Sequence, residues 1–184
     1  SSDLPRRGST LNSCEAKIVE FLTVCLVRLH QSALEDPIVL VSPYSAQLDL
    51  LHDLKRRVPE LGRVSISAFI VDSMQGDEAG IIILSTVRSN LRKELGFLVD
   101  YRRMNVGMTR AKFSLIVIGN SETLKADPTW RRFVEYCRDD NNDCTHYLCP
   151  GGANTSQRQV GESLFPEYYR SSGRFWSIPR FRLN

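Results

Sequence analysis

Four short apolar runs set between helical stretches constrain this chain more than any other feature. They are "PIVLVS" (37–42), "RVSISAFIV" (63–71), "GIIILSTV" (80–87) and "FSLIVIGN" (113–120). They are apolar throughout rather than alternating. A strand of that kind is buried on both faces, which is the pattern of a parallel sheet covered by helices. The intervening stretches supply the helices. Ile18, Val19, Phe21, Leu22, Cys25, Leu26 and Leu29 recur at helical spacing. Asn12 or Ser13 is their N-cap, and Glu15 stands at capping-box distance from Asn12. A helix over 12–31 is predicted, and a second through Leu48, Leu51 and Leu54 to about Val58. "YRRMNVGMTRAK" reads as a short basic helix. "DPTWRRFVEYCRDD" reads as the last, with Asp127 capping and Pro128 at its first position. The expected fold class is α/β, a mostly parallel sheet with helices on both faces. Four strands make a narrow core, which a further strand from before Ser1 would widen.

Functional groups in such sheets lie just past the C-terminal strand ends. Three polar clusters are expected there: Ser42-Pro43-Tyr44 with Gln47, Asp72 to Glu78, and Gly119-Asn120. The second contains Asp77-Glu78, which resembles the acidic box that holds magnesium in nucleotide hydrolases. Its position argues against that role. The apolar run Ile81–Leu84 follows the two acids, so they precede a strand instead of ending one.

Chemistry narrows further by what is missing. No Gly is followed by Lys, so the phosphate-cradling G-x-x-x-x-G-K-[ST] loop is not in this sequence. There is no Gly-x-Ser-x-Gly elbow, and His30, His52 and His146 do not cluster with a plausible nucleophile. Net charge is only +3, but Arg88 to Lys112 carries seven Lys/Arg against two acids. Such a block can meet phosphates. An Arg held on a rigid helix can also stabilise charge on a transferring phosphoryl group.

Taken together, "SPYSAQ", "VDSMQGDE" with "IIILSTVRSN", "GFLVDYRRMNVGMTRAK" and "LIVIGN" resemble the second RecA-like domain of superfamily 1 helicases. The branch resembled is that of the nonsense-mediated-decay helicase and senataxin. The resemblance covers about Asn12 to Arg138 and implies a RecA-like sheet. Gln75-Gly76-x-Glu78 is similar to motif V, with Gly76 near the terminal phosphate and Glu78 on the nucleotide's sugar. Arg110 matches the arginine finger of motif VI, and Tyr44 and Gln47 match motif IV on the nucleotide side. Pro43, Asp72, Ser73 and Arg102 or Arg103 would line the nucleic-acid path, and Asn105 and Thr109 would shape the helix that carries Arg110. The implied ligands are ATP and single-stranded nucleic acid, RNA favoured over DNA. Mg2+ would be ligated by a first RecA-like domain of the same parent chain.

The sequence also departs from the family. Ile70 stands where Thr or Ser is usual, Met74 where an aromatic is usual, and Gly107 where Ala is usual. The Tyr-Arg pair that normally opens this domain is not found near the N-terminus, and motifs I, Ia, II and III are missing. The implied function is the C-terminal motor half of an ATP-dependent helicase or translocase, inactive as this piece alone. The alternative is a motor-inactive RecA-like module for nucleic-acid or protein binding. The plain readings of the same residues are a cap for Glu15, a packed aromatic for Tyr44, a solvated turn for Gln75 and Glu78, and a surface salt bridge for Arg110. Arg102 and Arg103 are adjacent and so point in different directions on a helix.

Composition changes after Asp140, giving expected units of 1–140 and 141–184. The second, aromatic and Arg-rich, could stack on bases, dock on the parent protein or be partly disordered. Cys137, Cys144, His146 and Cys149 are zinc-ligand types at no standard spacing. Five cysteines, no secretory signal and no long apolar run give the expectation of an intracellular protein, nuclear or cytoplasmic, away from membranes.

Overall fold

The computed structural model describes residues 4–6, 9–29, 36–74, 78–138, 145–148 and 174–179. Strands β1 (Leu4–Arg6) and β2 (Ser9–Leu11) form an antiparallel pair before helix α1 (Ser13–Leu29). Then come β3 (Ile38–Ser42), α2 (Ser45–His52), α3 (Leu54–Arg57), β4 (Ile66–Ile70) and β5 (Ala79–Ser85). After α4 (Tyr101–Met108) the chain forms β6 (Ala111–Ile118), α5 (Ser121–Leu124), α6 (Pro128–Tyr136), β7 (Thr145–Leu148) and β8 (Arg174–Pro179).

The main sheet has the order β4-β3-β5-β6-β8-β7. The first four strands are parallel, and β8 joins β6 antiparallel, with Leu115 opposite Ile178. The four parallel strands follow the sequence prediction. The widening strands among the described residues, β8 and β7, come from the C-terminal segment.

Side-chain alternation divides the core between the two sheet faces. Val39, Val41, Ile82, Leu84, Leu115 and Val117 join one buried cluster with Met104 and Met108 of α4 and Trp130 and Val134 of α6. Their strand neighbours Ile38, Leu40, Ile81, Ile83, Ile116 and Ile118 join the other, with Ile18, Val19 and Leu22 of α1 and Leu48 and Leu51 of α2. This explains why the strands read as unbroken apolar runs.

Three local expectations are refined. The predicted second helix breaks into α2, α3 and a 3-10 turn over Pro59–Arg63. The basic helix ends at Met108, so Arg110 lies in the turn before β6 and not on the helix. There the Asn105 carbonyl accepts from both the backbone N and the Oγ1 of Thr109. Asn12 does cap α1, its Oδ1 accepting from the N–H groups of Cys14 and Glu15. The reciprocal half of the capping box is replaced: the Asn12 N–H donates to Gln47 Oε1, and Glu15 turns inward.

Candidate functional site

β4 ends with Ile70 at one end of the sheet and the parallel β5 begins with Ala79 at the other, so the chain changes ends between these strands. α4 runs on the same face, its Met104 and Met108 packed with Val71 and Met74. A Cβ on Gly107 would come within 2.9 Å of Val71 Cγ2, so glycine lets helix and crossover approach closely. Asp72, Ser73 and Arg103 therefore stand at one end of the sheet, and Glu78 and Arg110 at the other. A strand of seven residues separates the two ends by roughly 20 Å.

The C-terminal end is dominated by a buried polar network. Glu15 is 2% exposed, and its carboxylate accepts from Ser85 Oγ at 2.7 Å, from the Val87 N–H at 2.8 Å and from Asn12 Nδ2. Gln47 is fully buried, donating to the Asn12 carbonyl and Ser85 Oγ. Val87 has φ +69°, a left-handed conformation costly for a β-branched residue. The network holds it there, since Asn12 Nδ2 also donates to the Val87 carbonyl.

Tyr44 is likewise buried. Its hydroxyl donates to the Leu95 carbonyl at 3.2 Å and accepts from the Phe97 N–H at 3.3 Å. Tyr44 and Gln47, expected on the nucleotide side, thus stand at the end opposite Glu78 and Arg110, engaged within the chain. Pro43 is buried beside them, and Ser73 is exposed.

Arg103 and Asp72 meet as a bidentate ion pair, Nε to Oδ1 at 2.6 Å with the second contact from Nη2 to Oδ2. The Arg103 hydrogen bond holds the Asp72 carboxyl below its usual range, and Asp72 raises the Arg103 guanidinium in turn. Arg102 points away from this pair, exposed, 6.0 Å from the Tyr101 ring. The pair of adjacent arginines is thereby resolved into one that braces the crossover and one that faces solvent.

At the N-terminal end the Ala79 N–H donates to the Arg110 carbonyl, which brings Glu78 and Arg110 side by side in the sheet. The pairing of β5 and β6 shifts register between Ala79 and Ile81, beside both residues. Glu78 is exposed. Arg110 is half-buried, and its buried Nε has no hydrogen-bond partner among the described residues. Nearby, Lys112 Nζ donates to Asp36 Oδ1 at 2.9 Å, which raises the lysine's affinity for its proton. Gln75, Gly76 and Asp77 lie outside the described residues, as do Cys144 and Cys149. Cys137 is buried at the end of α6. No trio of metal-binding side chains occurs among the described residues. None of the described helices is long and apolar enough to cross a membrane.

Sequence reasoning missed the inward turn of Glu15 and the exposed Phe97. The capping-box spacing masked the first. The second had a legible signal in the "LGFLVDYRR" string, whose Gly precedes an aromatic and a basic pair.

A family model described as an AAA domain matches residues 1–122. The regulator of nonsense transcripts 1 from Dictyostelium discoideum is 37% identical over 145 residues, 77% of this chain and 11% of that protein. The ATP-dependent helicase upf1 of Schizosaccharomyces pombe is 33% identical over 153 residues, 82% of this chain and 16% of that protein. The helicase sen1 of the same yeast is 42% identical over 138 residues, 71% of this chain and 8% of that protein. The chain thus spans a small fraction of the length of these relatives. Among solved structures, a phosphoethanolamine N-methyltransferase from Haemonchus contortus superposes with a TM-score of 0.46 at 14% identity, covering 90% of this chain and 38% of that one. That likeness is too low to carry an argument.

Proposed function

The chain belongs to the AAA domain family, in the superfamily 1 helicase branch of the nonsense-mediated-decay helicase and senataxin, and we propose that it is the second RecA-like half of an ATP-driven motor that moves on single-stranded RNA. ATP binds in the cleft between this domain and a first RecA-like domain of the parent chain. The observation that carries this reading is the pairing of Glu78 with Arg110 at one end of the sheet, 32 positions apart in sequence.

Each group suits one part of a nucleotide. The unpartnered Nε of Arg110 and the rest of its guanidinium are donors for phosphate oxygens. As negative charge moves to the leaving oxygen, this fixed cation stabilises it without reorganising. The exposed Glu78 carboxylate accepts hydrogen bonds from the sugar hydroxyls. Gln75 and Gly76, just before it, bring backbone and amide groups to the phosphates. Asp77 and Glu78 precede β5 instead of ending a strand, so ligation of Mg2+ is assigned to the first domain. The nucleic acid runs at the other end, past Ser73, Asp72 and Arg102. Tyr44 and Gln47 serve there by fixing the loops of that end. RNA is favoured over DNA because one relative is named for its action on transcripts. α4 and the crossover connect the two ends, which gives a route from hydrolysis to grip.

Steady-state ATPase assays on the parent protein test this reading. Arg110→Ala should cut turnover about 10³-fold or more while leaving nucleotide binding largely intact, the scale of a lost arginine finger. Unchanged turnover would return Arg110 to a surface role, and a wild-type parent without turnover would favour the motor-inactive module.

A further inference from the structure

Phe97 is 53% exposed, yet its position is fixed from several sides. It follows Gly96, whose φ of +56° is left-handed, and a Cβ there would lie 2.6 Å from the Tyr44 hydroxyl. Only glycine satisfies both conditions. The Tyr44 hydroxyl bonds the backbone on both sides of Gly96, at Leu95 and Phe97. The two rings pack at 5.5 Å between centroids, tilted by 56°. The Arg103 guanidinium sits 5.4 Å from the Phe97 centroid, held in turn by Asp72. A buried tyrosine, a left-handed glycine and an ion pair thus keep one large aromatic side chain half in solvent. Exposing it gains the fold nothing by burial.

We propose that Phe97 is a base-stacking platform for single-stranded RNA at the C-terminal end of the sheet. The inference rests on the motor reading above and assigns it a contact to bases in addition to backbone. Three observations favour a nucleic-acid base as the occupant. Phe97 adjoins Asp72 and Arg103, at the same sheet end as Ser73 and Arg102. Tyr101, 54% exposed, stands four residues on, with the Arg102 guanidinium 6.0 Å from its ring. Each exposed ring is therefore accompanied by an arginine, the pairing that grips single strands through stacking and phosphate contact. A ring held in place before binding loses little freedom on stacking, so more of the contact appears as affinity.

The test uses the parent protein and two fluorescently labelled strands of equal length, one an oligouridylate and one an abasic ribose-phosphate chain, at one salt concentration. Anisotropy titrations should show wild type binding the base-bearing strand more tightly. Phe97→Ala should weaken that strand about 5- to 150-fold, the loss of one stacked base, and leave the abasic strand unchanged. Phe97→Leu, which keeps apolar contact with Tyr44, should lose the base preference too, while Phe97→Trp should retain it. A Phe97→Leu protein with intact base preference overturns the proposal. So does an equal loss on both strands, which would mean a structural role. A wild type that binds both strands equally overturns stacking but leaves the motor reading standing. Binding to neither strand sinks both.

Discussion

At the C-terminal end of the sheet, Glu15, Gln47 and Tyr44 are buried and hydrogen-bonded within the chain. At the N-terminal end, Glu78 is exposed and Arg110 keeps a buried Nε without a partner among the described residues. Both ends are rich in motif residues, but their surroundings differ. A polar group that is buried must be satisfied, because leaving it unmade costs its full desolvation. The first end meets that demand at Glu15, Gln47 and Tyr44 and so holds loops in place, leaving only the Thr86 hydroxyl oxygen there without a partner among the described residues. The second end does not meet it at Arg110, which is what a group awaiting an anion looks like. Motif membership alone does not separate an organising residue from a contacting one; burial and partners do.

The largest test of this contrast is Glu15→Ala. It strips the Val87 N–H and Ser85 Oγ of their acceptor in a dry site and releases a strained Val87. Unfolding by urea should show a loss of about 3 kcal/mol, the cost of orphaning two buried donors. Glu15→Gln, which keeps the shape and one acceptor, should lose less. ATP affinity of the folded fraction should stay as in wild type. A small stability loss with a large loss of ATP binding would break the contrast, because it would place the nucleotide at the closed end.

Glu78→Gln should act in the opposite sense. Its side chain is exposed, so stability should hardly change. If it reads the sugar, ATP binding should weaken by about 1 kcal/mol, one polar contact. The magnesium midpoint for turnover should match wild type, and Asp77→Ala should have little effect. A strong shift of that midpoint in either variant would revive the magnesium-box reading of Asp77-Glu78.

Much of this was legible in the sequence. The four parallel strands were, because burial on both faces leaves unbroken apolar runs such as Ile81–Leu84. Glu78 could be placed at the start of β5 because the run follows it. Other features depend on partners far along the chain. Phe97 becomes a presented ring only through Tyr44, 53 positions earlier. Glu15 fits a capping box by spacing, but Gln47 takes its place on Asn12. Arg110 was read as helical because helix ends are set by local competition; here the β6 pairing of Ala111 with Ala79 ends the helical stretch early. β8 carries no apolar run of its own kind, and its place depends on the free edge of β6.

The smallest effect concerns the brace at the C-terminal end, where Arg103 of α4 holds Asp72. The Arg103 hydrogen bond lowers the carboxyl's proton affinity in the folded state. A group whose folded pKa is depressed stabilises above its unfolded pKa and loses that contribution as pH falls through the folded value. The unfolded value is about 3.9, so the contribution should be full at neutral pH and fade below about pH 4. Asp72 is nearly half exposed, so solvent screens the pair and its value is at most about 1 kcal/mol. Urea unfolding of wild type and Asp72→Asn should therefore differ by that much or less at pH 7 and converge as pH falls through the lowered folded value. Raising salt should shrink the difference at pH 7. A gap that does not shrink as the pH is lowered below about 4 would mean that Asp72 acts through neutral hydrogen bonding and not through its charge. A gap well above 1 kcal/mol at pH 7 would mean the brace is a main support of the packing between α4 and the residues that follow β4, a larger role than this exposed pair implies.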